Sequence, residues 1–65
     1  MAPKTVKEIV SGIGSMKEAA AKFGVRYQSV QKWIRRGKIP YRRALQLERI
    51  TEGRIRIEDI REMIS

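Results

Sequence analysis

Five glycines constrain the fold of this chain more than any other sequence feature. They stand at positions 12, 14, 24, 37 and 53, and the longest segment without a glycine covers residues 38–52. Glycine weakens the interior of a helix, but just after a helix it readily adopts the left-handed conformation that ends it. The spacing therefore predicts several short helices. It argues against the single long amphipathic helix of a cationic membrane-active peptide.

Capping residues and apolar spacing place these helices along the chain. Thr5 with Glu8 and Ser15 with Glu18 match the capping box that begins a helix, and apolar residues then recur at intervals of three and four. We predict helices over about 6–13, 16–23, 26–36 and 41–51, then a short extended lead-in (RIRI, residues 54–57) and a closing helix to residue 64. The expected fold class is all-α, a compact bundle of five short helices in a single domain over 1–65, with residues 1–4 disordered.

Composition argues against several classes of protein. The 65 residues include no cysteine and no histidine, which removes thiolate metal sites, disulfides and the usual general base. The acidic residues are scattered, so no enzyme, metal, cofactor or small-molecule ligand is expected. There is no apolar stretch long enough to span a membrane, and the N-terminus lacks the apolar segment of a secretion signal. A cytoplasmic protein is expected.

Positive charge is concentrated in one part of the chain. The net charge is +8, and residues 15–39 hold seven Lys or Arg against one acid, which gives +6 for that segment. Residues 1–14 and 40–53 each carry +1, and residues 54–65 are neutral. A merely soluble surface mixes the two signs throughout. The distribution therefore predicts a polyanionic partner that binds residues 15–39.

The same basic segment contains a candidate helix-turn-helix. Ala19 and Ala20 are small where two helices would approach closely, and Gly24 stands where the first helix would end. Val30 and Trp33 supply the inward side of the next helix. Each feature alone fits an ordinary core, but their joint spacing favours the motif, whose second helix enters the major groove of DNA.

The segment from Gly14 to Ile39 resembles the bacteriophage Cro-type repressors, relatives of the lambdoid helix-turn-helix regulators. The resemblance is carried by the stretches AAAKFGV, YQS, QKWI and GKIP. It implies a lambda-repressor-like fold, with helices 2 and 3 as the helix-turn-helix. It also implies a protein of a bacterial or phage-infected cell. Arg26 stands at the helix start where Ser or Thr is usual, and Met16 replaces a polar residue. The residues that the resemblance places against base edges are Arg26, Tyr27, Gln28, Gln31 and Lys32.

Helical geometry assigns the roles on the third helix independently of any family. Gln28 and Gln31 project away from the side that carries Trp33. Because a glutamine can pair bidentately with adenine, they are the candidates for base reading, and the alternative is plain solvated helix surface. A second group is expected to contact phosphates, with a solvated surface as the alternative for each member. This group comprises Ser15, Lys17, Lys22, Arg35, Arg36, Lys38, Arg42 and Arg43.

The C-terminal tail offers a candidate dimer interface. One recognition helix reads only about four or five base pairs, and the usual remedy is a two-fold dimer on a palindrome. The tail carries more apolar residues than a core this small requires, although the alternative is that all of them complete that core. These residues are Ile55, Ile57, Ile60, Met63 and Ile64.

The sequence predicts a sequence-specific transcriptional regulator that binds double-stranded DNA. We expect a Cro-like repressor that binds a palindromic operator as a homodimer. The alternative is an antitoxin-like or anti-regulator module that binds a protein partner through its C-terminal apolar helix. Resistance of a partner complex to high salt would favour that alternative, because complexes held by phosphate contacts dissociate steeply as salt rises.

Overall fold

Four short α-helices form the body of the molecule in the computed structural model, which describes residues 3–65. No named strand occurs within that range, so the prediction of an all-α fold is confirmed there. The second helix packs against the other three, and the molecule measures 25 × 23 × 20 Å along its principal axes. The elements are α1 (Val6–Ile13), α2 (Met16–Phe23), α3 (Tyr27–Arg36) and α4 (Tyr41–Ile50), followed by two 3-10 turns at Ile57–Asp59 and Arg61–Met63.

The first two helices begin with the predicted caps. The Thr5 hydroxyl accepts a hydrogen bond from the Glu8 backbone N–H at 3.1 Å, but the Glu8 carboxylate accepts from the Lys4 N–H at 2.9 Å, so this capping box is only half formed. At Ser15 and Glu18 both bonds are present. The disorder predicted for residues 1–4 remains a prediction, since Met1 and Ala2 lie outside the described residues.

Gly24 makes the turn between α2 and α3. Its φ of 73° and ψ of 32° lie in the left-handed region, where residues other than glycine are strained. The Val25 N–H bonds the Ala20 carbonyl at 3.0 Å and closes the end of α2. The next helix begins at Tyr27, and Arg26 caps it with extended backbone but without a side-chain hydrogen bond. The predicted helix-turn-helix bend is therefore present.

A single apolar core lies between the helices and the tail. The rings of Phe23 and Trp33 meet inside the bend, and Ile39 reaches the core from the segment that follows α3. No buried side-chain nitrogen or oxygen in the described residues lacks a hydrogen-bond partner. The buried residues are Val6, Ile9, Val10, Ala19, Ala20, Phe23, Val30, Trp33, Ile39, Ala44, Leu47, Ile60 and Met63.

The prediction of a fifth α-helix is wrong. Residues 57–63 form two 3-10 turns, separated at Ile60, whose φ of −128° and ψ of 25° break the helix. Apolar residues at 57, 60 and 63 are three apart, and this spacing matches the three residues per turn of a 3-10 helix. Ile64 is extended and forms a parallel bridge with Ile39. The Met63 carbonyl accepts from the Ile39 N–H at 2.6 Å, a bond that ties the tail to the segment after α3.

Candidate DNA-binding surface

The third helix has one side in the core and one side in solvent. Val30 and Trp33 are 0% and 7% exposed, so the tryptophan is a core residue and not a stacking surface. Gln28, Lys32 and Arg35 are exposed on the opposite side. Since Gln28 and Arg35 are seven residues apart, they lie on one stripe of the helix, and Arg35 therefore belongs with the residues that face outward beside the glutamines.

Tyr27 and Gln31 form a pair on this helix. Both side chains are half-buried, and the Gln31 amide nitrogen donates to the Tyr27 hydroxyl at 3.4 Å across one helical turn. At this length the hydrogen bond restrains the amide only weakly, and it leaves the amide oxygen and the second N–H for other partners. Adenine requires one acceptor and one donor from a glutamine, so these groups suit base reading. Arg26, at the start of the helix, is exposed.

The start of α2 carries a fixed negative charge. The Ser15 hydroxyl accepts from the Glu18 N–H at 3.1 Å, and the Glu18 carboxylate accepts from the Ser15 N–H at 2.9 Å. The hydrogen bond from the Ser15 backbone lowers the pKa of the Glu18 carboxyl, hydrogen bonding by the Ser15 side chain lowers it as well, and the positive charge of Lys22 lowers it further. A phosphate at Ser15 would have to approach this carboxylate, whereas Lys17 in the same turn is exposed.

Two residues predicted to contact phosphate form hydrogen bonds within the chain. The Lys38 ammonium donates to the Glu62 backbone carbonyl and so contacts the tail. The Arg43 side chain is half-buried and donates to the Phe23 carbonyl at 3.2 Å, at the end of α2. Their ionic groups therefore support the fold in addition to any role on DNA. Arg36 and Arg42 are exposed.

Lys22, on α2, lies in a groove to which α3 contributes no residue. It lines an open groove together with residues of α1 and the end of α4, among them Glu8, Ile13 and Ile50. The groove has acids as well as cations at its rim, because Glu52 also lines it. Lys22 is exposed. Its contact with phosphate remains a prediction.

Two lysines near the N-terminus lie beside the cations at the end of α3, and the sequence did not predict this. Lys4 and Lys7 line a groove together with Arg35 and Arg36 at the end of α3, and Glu62 is the acid beside them. Residues 1–14 carry a net charge of only +1, so the segment did not stand out. Tertiary packing of α1 beside α3 creates this cluster, and nothing in the local spacing could have revealed it.

The apolar residues of the tail divide into two groups. Ile60 and Met63 are 1% and 9% exposed and belong to the core of the single chain. The other three predicted interface residues pack against the core and are only partly buried, namely Ile55, Ile57 and Ile64.

Two exposed apolar side chains on α4 were not predicted. Tyr41 and Leu45 are 54% and 41% exposed, and they stand one helical turn apart. Tyr41 follows closely after Ile39, with which Ile64 forms its bridge, and α4 packs against the first 3-10 turn of the tail. Their separation by four residues was the available signal, because Tyr41 and Leu45 share a helix side that differs from that of Ala44 and Leu47.

In the described residues no helix has the length and apolar character needed to cross a bilayer, and no three acidic, histidine or cysteine side chains meet in a metal-binding group.

Comparison with known proteins identifies the family. No curated protein and no solved structure matches the chain significantly. The family model for P22 Cro, described as the DNA-binding transcriptional regulator Cro, matches residues 5–64 and thus includes all four helices and both 3-10 turns. The chain therefore belongs to the P22 Cro family of DNA-binding transcriptional regulators, which are not enzymes.

Proposed function

We propose that this regulator recognises a specific operator by placing α3 in the major groove, with Gln28 and Gln31 on base edges. The observation that carries the proposal is the division of α3 into a core side with Val30 and Trp33 and an opposite side with the exposed Gln28 and the half-buried Gln31. The core side holds the helix rigidly against α2. The solvent side presents amides and cations, which are the groups that read adenine and guanine in the major groove.

The glutamines supply the sequence preference. Each can pair bidentately with adenine N6 and N7, and one such pair is worth about 1–3 kcal/mol of discrimination against a wrong base. Of the two, Gln31 also contacts Tyr27, whose hydroxyl accepts from its amide nitrogen at 3.4 Å. Lys32 and Arg35, which are exposed on the same side, can reach guanine O6 and N7. In this proposal Tyr27 acts mainly through its contact with Gln31.

Exposed cations around α3 hold the protein on the DNA backbone. Phosphate contacts fix the position of a protein on the duplex without conveying sequence. The groove that brings Lys4 and Lys7 beside Arg36 has the charge to accept a phosphate strand, and it extends the basic surface beyond residues 15–39. The other exposed candidates are Lys17 and Arg42.

The operator is proposed to be a palindrome bound by two copies of the chain. A single α3 addresses about four or five base pairs, which is too short a sequence to specify one site in a genome. Tyr41 and Leu45 are exposed on α4, a helix that packs against the 3-10 turn Ile57–Asp59, and they offer apolar side chains that a second copy could cover. Residues 40–65 hold six Arg against five acids, so two copies meeting there would repel each other little. A dimer in a bacterial or phage-infected cytoplasm would repress by blocking access to the promoter.

Selection from a randomised duplex pool tests this function. Binding and amplification should enrich a palindrome with half-site centres about 34 Å apart, the distance set by one helical turn. Gln28→Ala and Gln31→Ala should relax the preference at single positions of each half-site. Arg36→Ala should weaken binding to all sequences alike and reduce the slope of affinity against salt by about one. A pool that stays random after repeated selection would refute the proposal.

A further inference from the structure

Helix α4 reaches across to the end of α2, just before the turn of the helix-turn-helix, and binds the carbonyl of Phe23. The Gln46 amide nitrogen donates to the Phe23 carbonyl oxygen at 2.7 Å, and a guanidinium nitrogen of Arg43 donates to the same oxygen at 3.2 Å. The same Arg43 nitrogen also donates to the Gln46 side-chain oxygen at 2.8 Å. Two side chains of one helix thus converge on a single carbonyl and stabilise each other.

The Phe23 carbonyl is the last of α2, where the backbone turns. The N–H groups of Gly24 and Val25 bond back to Ala20 and Ala21, so the described bonds to the Phe23 oxygen come from α4. The end of a helix carries a partial negative charge, which favours a guanidinium there.

The same residue is also held on its other side. The Phe23 ring packs against the Trp33 ring of α3. Phe23 therefore links all three helices: its ring contacts α3, its backbone ends α2, and its carbonyl is bound by α4. Any shift of this carbonyl would move the point from which the chain enters α3.

We propose that Arg43 and Gln46 are positioning residues that fix the direction of α3 relative to the body of the molecule, and thereby the placement of Gln28 and Gln31 on the bases. The inference rests on the proposed operator recognition. Bidentate base contacts tolerate errors of only about 0.5 Å or 10–20° in placement, whereas flexible cations follow a displaced phosphate. Arg43 then acts from inside the fold, unlike its exposed neighbour Arg42.

The experiment compares Gln46→Met, Arg43→Ala and the control Arg42→Ala on the enriched operator and on a scrambled duplex. Methionine keeps the length and neutrality of glutamine but cannot donate to the carbonyl. Gln46→Met and Arg43→Ala should each lower the ratio of the two affinities about tenfold, comparable to the loss of one base contact, with an unchanged salt slope. Arg42→Ala should weaken both duplexes equally and reduce the slope by about one.

The outcomes separate the alternatives. If Arg43→Ala reduces the salt slope by about one and leaves the affinity ratio intact, Arg43 is a phosphate contact and the inference is overturned. Full discrimination by a folded Gln46→Met overturns it as well. Circular dichroism establishes folding, and Arg43→Lys, which keeps the charge and a donor, should restore most of the ratio. A wild-type protein that does not distinguish the two duplexes instead refutes the proposed operator recognition, and the inference falls with it.

Discussion

The rings of Phe23 and Trp33 meet edge to face, with their centroids 5.2 Å apart and their planes at 84°. Both side chains lie in the core, and the contact joins the end of α2 to the middle of α3. Aromatic pairs in this geometry contribute about 0.5–1.5 kcal/mol beyond the area that they bury. The angle between the two helices of the motif therefore depends on a contact between two large, rigid side chains.

Truncation of this pair should be among the most damaging substitutions in the chain. Trp33→Ala is expected to destabilise the fold by about 3–5 kcal/mol, the usual cost of removing a buried aromatic side chain. Gln28→Ala, on the opposite side of the same helix, should change stability by less than about 0.5 kcal/mol. Urea unfolding measures both changes in stability, and it is followed by far-UV circular dichroism because one variant lacks the tryptophan. Comparable losses for the two variants would mean that the sides of α3 are wrongly assigned.

Two glycines in open surroundings should respond in opposite directions to alanine. A Cβ would meet nothing within 4 Å at Gly12 or at Gly24, so backbone conformation alone decides the outcome. Gly12 lies inside α1, and Gly12→Ala should stabilise by about 0.5–1 kcal/mol. Gly24 has a φ of 73°, and Gly24→Ala should destabilise by about 1–2 kcal/mol. Denaturant titration of both variants checks the signs, and stabilisation by Gly24→Ala would contradict the left-handed turn.

Helix starts and stops were largely predictable because their causes are local. Ser15 and Glu18 satisfy each other across three residues, and Gly24 relieves strain at its own position. The bounds predicted for α1 and α2 agree with the structure. The tail was mispredicted because its apolar residues fit two patterns. Ile57, Ile60 and Ile64 have the spacing of an α-helix, whereas Ile57, Ile60 and Met63 have the three-residue spacing of a 3-10 helix. The bridge between Ile64 and Ile39 decides between them, and no local pattern reveals it.

The candidate site likewise combines features set by the local sequence with features set by tertiary packing. The outward placement of Gln28 and Lys32 follows from helical periodicity, so it could be read from the sequence. The engagement of Arg43 with Phe23 depends on how α4 crosses the end of α2, and composition cannot show it. Lys4 joins the basic surface for a similar reason, through packing of α1 beside α3.

The capping box at α2 should make stability depend on pH. The pKa of Glu18 is lowered in the folded protein, so its ionised form stabilises the fold above its ordinary pKa of 4.5, and this contribution disappears as the pH falls through the lower folded value. Glu18→Gln should therefore lower the melting temperature at pH 7 and have little effect at the lowest pH at which the protein still folds. Glu62→Gln, which changes the net charge equally, serves as the control. A difference between wild type and Glu18→Gln that persists unchanged into acid would contradict the prediction.

In the proposed dimer, the exposed side of α4 should decide whether the two copies bind one operator cooperatively. Leu45 is 41% exposed, so Leu45→Lys should leave the stability of the monomer within about 0.5 kcal/mol of wild type. Burying a lysine against a second copy is unfavourable, however, because the ammonium loses water without gaining a partner. On a palindromic duplex, sedimentation should show two wild-type chains bound cooperatively, and Leu45→Lys chains bound independently with the affinity of a half-site. Ser11→Lys, at an exposed position on α1, adds the same charge away from α4 and should keep the cooperativity. If Leu45→Lys binds as cooperatively as wild type, the two copies do not meet through Leu45, and the partly buried isoleucines of the tail become the next surface to substitute.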